Sequence, residues 1–145
     1  MKLSIEWKDK MQFTARADGH EAAMDTKAPF GSDTALTPKQ LMVAGICGCS
    51  AMDVVALLKK FRQEVKTFSV EADATPTKGV YPEIYTRIDL VFKLGGQIEP
   101  AKALEAVELS QTKYCGVSAM VSKAVPIHYS VEVNGVPAGS GQAKF

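Results

Sequence analysis

Thr37-Pro38-Lys39-Gln40 opens an apolar run, LMVAGICGCSAMDVVALL over positions 41–58, which Lys59-Lys60 closes. Thr37 is a strong N-cap residue, Pro38 sits where a missing N–H costs nothing, and Gln40 completes a capping box. Cations suit the other end, where the helix dipole is negative. The punctuation predicts a helix over 37–62, about 39 Å long at 1.5 Å per residue. Within 41–58 only Ser50 and Asp53 are strongly polar. Such a helix is apolar on nearly every side, so other elements must wrap it. The run reaches the lower length limit of a membrane span, roughly 17–25 residues. Asp53 near its centre, with Gly45 and Gly48, argues instead for a helix buried in protein.

Upstream of this helix, Leu3, Ile5 and Trp7 alternate with polar residues, as do Phe13 and Ala15. Asp18-Gly19 is a hairpin turn signal, and residues 22–24 follow it. The three segments read as an antiparallel meander. Pro29, Gly31, Ser32 and Asp33 mark 26–36 as a loop. Downstream, strands are expected over 67–74 and 84–94, and Gly95-Gly96 should break the chain. Pro100 opens a helix to about Thr112. A short helix from Gly116 places Val117, Met120, Val121 and Ala124 on one stripe. Pro126 ends it before a last strand over 127–133, and the Gly- and Pro-containing tail, 135–145, is expected to be flexible.

The order is βββ-α-ββ-αα-β, without regular β-α-β alternation. That predicts an α+β fold with antiparallel pairing, in one domain over 1–145. Neither composition nor charge suggests a specialised class. The chain is 46% apolar and 23% charged, with 17 Lys+Arg against 16 Asp+Glu. There is no basic footprint of the kind that nucleic acid requires. The N-terminus lacks the apolar run of a signal peptide, and three cysteines do not make an extracellular disulfide framework. A cytoplasmic protein is expected.

The residues that could do chemistry are few. Gly45-Ile46-Cys47-Gly48 lies inside the helix, so it is neither a phosphate loop nor a dinucleotide turn. No cofactor is expected. His20 and His128 lack ligand-like neighbours. Cys47 and Cys49 lie about 200° apart around a helix, so they cannot serve one site together. A metal centre using the three cysteines and His128 would need an irregular backbone there, and none is expected. One of the two helix cysteines is core filler, since free Cys is among the most buried residue types. Cys115 precedes the helix at Gly116, whose unpaired N–H groups favour a thiolate. The residues alone leave two readings, a redox pair or buried structural thiols.

Two motifs then carry a resemblance. The segment 37–50, TPKQLMVAGICGCS, resembles the first-cysteine helix of the OsmC/Ohr family, the osmotically inducible and organic hydroperoxide resistance proteins. The family's reactive cysteine follows the helix-opening Pro by eleven positions, which is Cys49 here. Lys113-Tyr114-Cys115-Gly116-Val117-Ser118-Ala119 resembles its second-cysteine motif. The resemblance implies an antiparallel sheet wrapped around a long central helix, in an intertwined homodimer. It also implies a thiol peroxidase acting on organic hydroperoxides. Cys49 would become a sulfenic acid, Cys115 would condense with it to a disulfide, and an external dithiol would reduce the pair.

This chain departs from the pattern at one activating position. The family has a Glu directly after the helix-opening Pro, paired with an Arg, and here that position is Lys39. Arg16 is the candidate for the Arg. Asp53, one turn beyond Cys49, would raise a thiol pKa. These departures keep an alternative open: a non-enzymatic relative that binds a small apolar or electrophilic ligand at the dimer interface.

Overall fold

The computed structural model describes residues 1–145, which form two compact units, Met1–Ala44 and Gly45–Phe145. Three strands build the first unit: β1 (Ser4–Asp9), β2 (Gln12–Ala17) and β3 (His20–Met24), antiparallel in the order β1-β2-β3. Trp7 faces Phe13 and Arg16 faces Glu21 across the ladders. Asp18 and Gly19 both have positive φ (51° and 81°), as a two-residue hairpin turn with right-handed strand twist requires.

The loop after β3 is organised by Asp25, which is buried. Its carboxylate accepts hydrogen bonds from the amides of Thr26 (2.8 Å), Ser32 (3.1 Å) and Thr34 (3.1 Å), and from the Thr34 hydroxyl (2.8 Å). Burial alone would raise this carboxyl, but those donors outweigh it and hold it at about 2, below its ordinary 3.8. Gly31 permits the wrapping, because a Cβ there would collide with the Thr26 carbonyl and the Asp25 carboxylate.

The long helix forms as its punctuation predicts. α1 spans Pro38–Lys60. The Thr37 amide donates to Gln40 Oε1 (2.8 Å) and the Gln40 amide to Thr37 Oγ1 (3.3 Å), a reciprocal capping box. The helix stops two residues short of the expected 62. Arg62 turns left-handed (φ 58°), with Gln63 N donating to Leu58 O and Arg62 N to Lys59 O. This pair of bonds is a Schellman closure, which satisfies the last carbonyls.

In the second unit the strands β4 (Glu64–Pro76), β5 (Tyr85–Gln97), β6 (Ile127–Val133) and β7 (Val136–Gln142) lie side by side in chain order. Between β5 and β6 come α2 (Pro100–Leu109), a π-helical turn (Ser110–Tyr114) and α3 (Gly116–Val121). One sheet face is read directly from alternation: Ile88, Leu90, Phe92 and Leu94 on β5, and Ile127, Tyr129, Val131 and Val133 on β6, are buried. They form one core with Ile46, Val54 and Leu58 of α1 and Ala103, Ala106 and Val107 of α2. A fully buried Val, Leu, Ile or Phe side chain contributes about 1.5–3 kcal/mol, so this face holds the unit together.

Four expectations need correcting. The sheet is mixed: β5 and β6 run parallel, because the helical crossover between them returns the chain in the same direction. Gly95-Gly96 does not break the chain but lies within β5. Gly96 (φ 140°) lets β4 pass close, since a Cβ would strike the Glu64 carbonyl. The tail includes a paired strand, β7, whose Gly139 and Gly141 make room for the side chains of Leu104 and Tyr129. Met120 is exposed rather than part of the core stripe.

α1 is long and apolar enough to cross a membrane by composition alone. Here its stripe Ile46, Ser50, Val54 and Leu58 is buried, while Met42, Met52 and Val55 are exposed. Within the second unit, that one face of α1 joins the core.

Candidate functional site

α1 places Cys49 and Asp53 one turn apart on one face and buries Ser50 beside them. Opposite stands the π-helical turn. The Cys115 amide donates to the Ser110 carbonyl (2.9 Å), an i to i−5 bond that widens the helix before the chain becomes extended at Cys115. Cys115 is then the N-cap of α3, and its Sγ accepts the Ser118 amide at 3.3 Å. The helix-start position expected for Cys115 is realised, through a direct bond to the thiol.

The two cysteines of the motifs meet. Cys49 Sγ, Cys115 Sγ and an Asp53 carboxylate oxygen lie within 4.8 Å of one another. A disulfide needs about 2.05 Å, so small side-chain movements separate the thiols from a bond. All three cysteines are free; Cys115 is buried, whereas Cys49 is half-buried.

A buried polar network surrounds Cys115. Gln111 Nε2 donates to Ser50 Oγ (2.7 Å), Ser50 Oγ donates to Cys115 Sγ (3.4 Å), and Ser50 and Ser118 share a hydroxyl contact (3.5 Å). Ser110 Oγ donates to Asp53 Oδ2 (3.0 Å). Gln111 Oε1, fully buried, has no hydrogen-bond partner.

The environments separate the thiols. Burial pushes Cys49 up; the Val117 amide works against this, while Cys115 and the Asp53 charge add to it. Burial would raise Cys115 as well, but the Ser118 hydroxyl, the Ser50 hydroxyl, the Ser118 amide and the Cys49 thiol together bring it below the ordinary thiol value. The surroundings thus push the two thiols in opposite directions, Cys49 up and Cys115 down. Cys47 faces elsewhere, packed against the core and pushed up by burial, as expected of the filler cysteine.

Arg16 lies on β2, where its guanidinium is bonded to Glu21 (2.5 Å) and to Glu6. His128 lies on β6 opposite Asp89, whose carboxylate Arg87 holds (2.5 Å). The suggested combination of three cysteines and His128 is not formed. The set that could hold a metal is Cys49, Asp53 and Cys115.

Sequence reasoning missed Ser50, Ser110, Gln111 and Ser118. Ser118, three residues after Cys115, follows the spacing of an N-cap and its N3 residue and could have been found. Gln111 reaches Ser50 only through the π-helical turn, which no periodicity announces.

The sequence profile of the OsmC-like protein family matches residues 31–130. Protein YhfA of Escherichia coli K12 is 35% identical over 135 residues, 92% of this chain and 98% of that protein. A hypothetical protein from Aquifex aeolicus VF5, known from its crystal structure, superposes with a TM-score of 0.82 at 30% identity, over 92% of this chain and 95% of that one. The organic hydroperoxide resistance protein OhrB of Bacillus subtilis shares the fold at a TM-score of 0.66 and 19% identity, over 90% and 96% of the two chains. Cysteine motifs, fold and similarity agree: the chain belongs to the OsmC-like protein family.

Proposed function

We propose that this protein is a thiol-dependent peroxidase that reduces organic hydroperoxides, in the cytoplasm, where thiols are kept reduced. The observation that carries the reading is the meeting of Cys49 and Cys115 from distant segments, within 4.8 Å, with Cys115 held in a hydrogen-bonded network. Cys49 is the more accessible sulfur and is the one that attacks. Its thiolate takes the distal peroxide oxygen, the O–O bond breaks, and the alkoxide leaves as an alcohol after taking a proton. The resulting Cys49 sulfenic acid is attacked by the Cys115 thiolate, which forms the S–S bond and expels the oxygen as water. An external dithiol restores both thiols by exchange.

Arg16 supplies the activating cation in this reading. Its present partners, Glu6 and Glu21, are exposed carboxylates, and exposed ion pairs hold a side chain weakly. The protein works as a homodimer. Gly45, Gly48, Met52 and Val55 share one side of α1, opposite the buried stripe at roughly 100° per residue. Met52 and Val55 are exposed, and apart from the adjoining backbone of α1 itself no atom lies within 4 Å of a Cβ placed at either glycine. A second copy would cover this face.

One observation favours a different reading. Burial and the Asp53 charge hold the Cys49 proton on, as suits a non-enzymatic protein that binds a small apolar or electrophilic ligand at the dimer interface. Steady-state assays with an organic hydroperoxide and a dithiol reductant separate the two. The peroxidase turns over, and Cys49→Ser abolishes turnover; the binding protein consumes no peroxide.

A further inference from the structure

The Asp53 carboxylate has no role in the thiol cycle. A negative charge within 4.8 Å of both sulfurs opposes the attack that Cys49 is asked to make. We propose that Cys49, Asp53 and Cys115 form a binding site for one thiophilic divalent cation of the Zn2+ class in the reduced protein.

The donors have the right chemistry and spacing. Two sulfurs and one carboxylate oxygen suit Zn2+ over Mg2+ or Ca2+, which take oxygen ligands. With Zn–S about 2.3 Å and Zn–O about 2.0–2.2 Å, tetrahedral donors stand roughly 3.5–3.8 Å apart. The three donor atoms, all within 4.8 Å, need only a small closure. Cys49 and Asp53 come from successive turns of α1, and Cys115 comes from the start of α3.

Each of two donors is already oriented from outside. Ser110 holds Asp53 Oδ2 at 3.0 Å, and Cys115 accepts from Ser50 and from the Ser118 amide. Metal sites commonly fix their ligands with outer hydrogen bonds of this kind. Half-buried Cys49 and Asp53 give the ion a way in, and the fourth position is left to solvent.

Binding replaces two thiol protons with two S–metal bonds and transfers no electrons. The sulfurs cannot be metal ligands and a disulfide at once. Resting on the peroxidase reading, this makes the ion an inhibitor of the thiol cycle, and disulfide formation its release.

Co2+ titration of the reduced, full-length protein tests the site, because a tetrahedral thiolate site gives Co2+ intense visible absorption. One Co2+ per chain, displaced by Zn2+, is expected. Cys49→Ser and Cys115→Ser should each weaken binding by more than about 100-fold, and Ser110→Ala, which removes an outer hydrogen bond, by about ten-fold. Asp53→Asn should weaken it at least as much as Ser110→Ala, and Cys47→Ser should leave it unchanged. Diamide oxidation, which requires no peroxidase activity, should abolish it. Absence of Co2+ or Zn2+ uptake at micromolar protein, or unchanged affinity in Asp53→Asn, overturns the proposal. Uptake without thiol loss to hydroperoxide retains the site and removes the peroxidase reading; peroxide-driven loss of two thiols without uptake does the reverse.

Discussion

Gln111 donates its carboxamide hydrogen to the hydroxyl of Ser50 across 2.7 Å, joining two residues 61 positions apart in the buried wall behind Cys115. The contact is lopsided, because the Gln111 oxygen has no partner. Ser50→Ala strands the Gln111 N–H in a dry environment and should cost about 1–3 kcal/mol. Gln111→Met keeps the shape and removes both the donor and the orphaned acceptor, so it should cost less than about 1.5 kcal/mol. Urea denaturation ranks the two, and a larger loss in Gln111→Met would contradict the network as described.

Asp25 predicts an acid limb in the stability curve. Its folded pKa, held at about 2, lies below the ordinary 3.8. The stabilisation is therefore fully present above about pH 4 and is lost as pH falls toward 2. Asn at this position neither ionises nor accepts all four hydrogen bonds. The melting-temperature gap between wild type and Asp25→Asn should be constant from pH 5 to 7 and should shrink between pH 4 and 2. An equal gap at pH 2 and pH 6 would refute this.

Arg16 has two possible roles that kinetics separates. As the activating cation, its loss in Arg16→Ala should slow peroxide reduction about ten-fold or more, with little change in stability because the ion pairs are exposed. Stopped-flow measurement of the first turnover checks this. Unchanged kinetics would make Arg16 a surface residue of β2.

Homodimerisation through α1 predicts a sedimentation-equilibrium mass of about twice the chain's 15.6 kDa at micromolar concentration. Met52→Asp or Val55→Asp should shift it toward the monomer, because each places a charge on the exposed apolar face. A wild-type monomer would rule the dimer out.

Much of this organisation is legible locally. The Thr37–Gln40 capping box, the Asp18-Gly19 turn and the helix-start position of Cys115 depend on neighbours within four residues, and each appears as its residue types dictate. The features that local sequence does not announce depend on distant partners. Gly139 and Gly141 look like a loose tail until Leu104 and Tyr129 fill the space that they leave. The parallel pairing of β5 and β6 follows from where α2 and α3 return the chain. Asp53 adds to the upward push on Cys49 as its place one turn away predicts, while its Ser110 partner, 57 positions away, depends on the π-helical turn.

If Cys49 and Cys115 form one redox pair, a single-turnover thiol count with peptide mapping registers it. One equivalent of organic hydroperoxide should consume two thiols per chain and yield a Cys49–Cys115 disulfide, with Cys47 still free. Cys49→Ser should lose none, and Cys115→Ser should stop at a sulfenic acid on Cys49 or over-oxidise there. Retention of all three thiols in the wild-type protein would mean that the two cysteines are not a redox pair, and a sulfenic acid on Cys115 in Cys49→Ser would make Cys115 the attacking thiol.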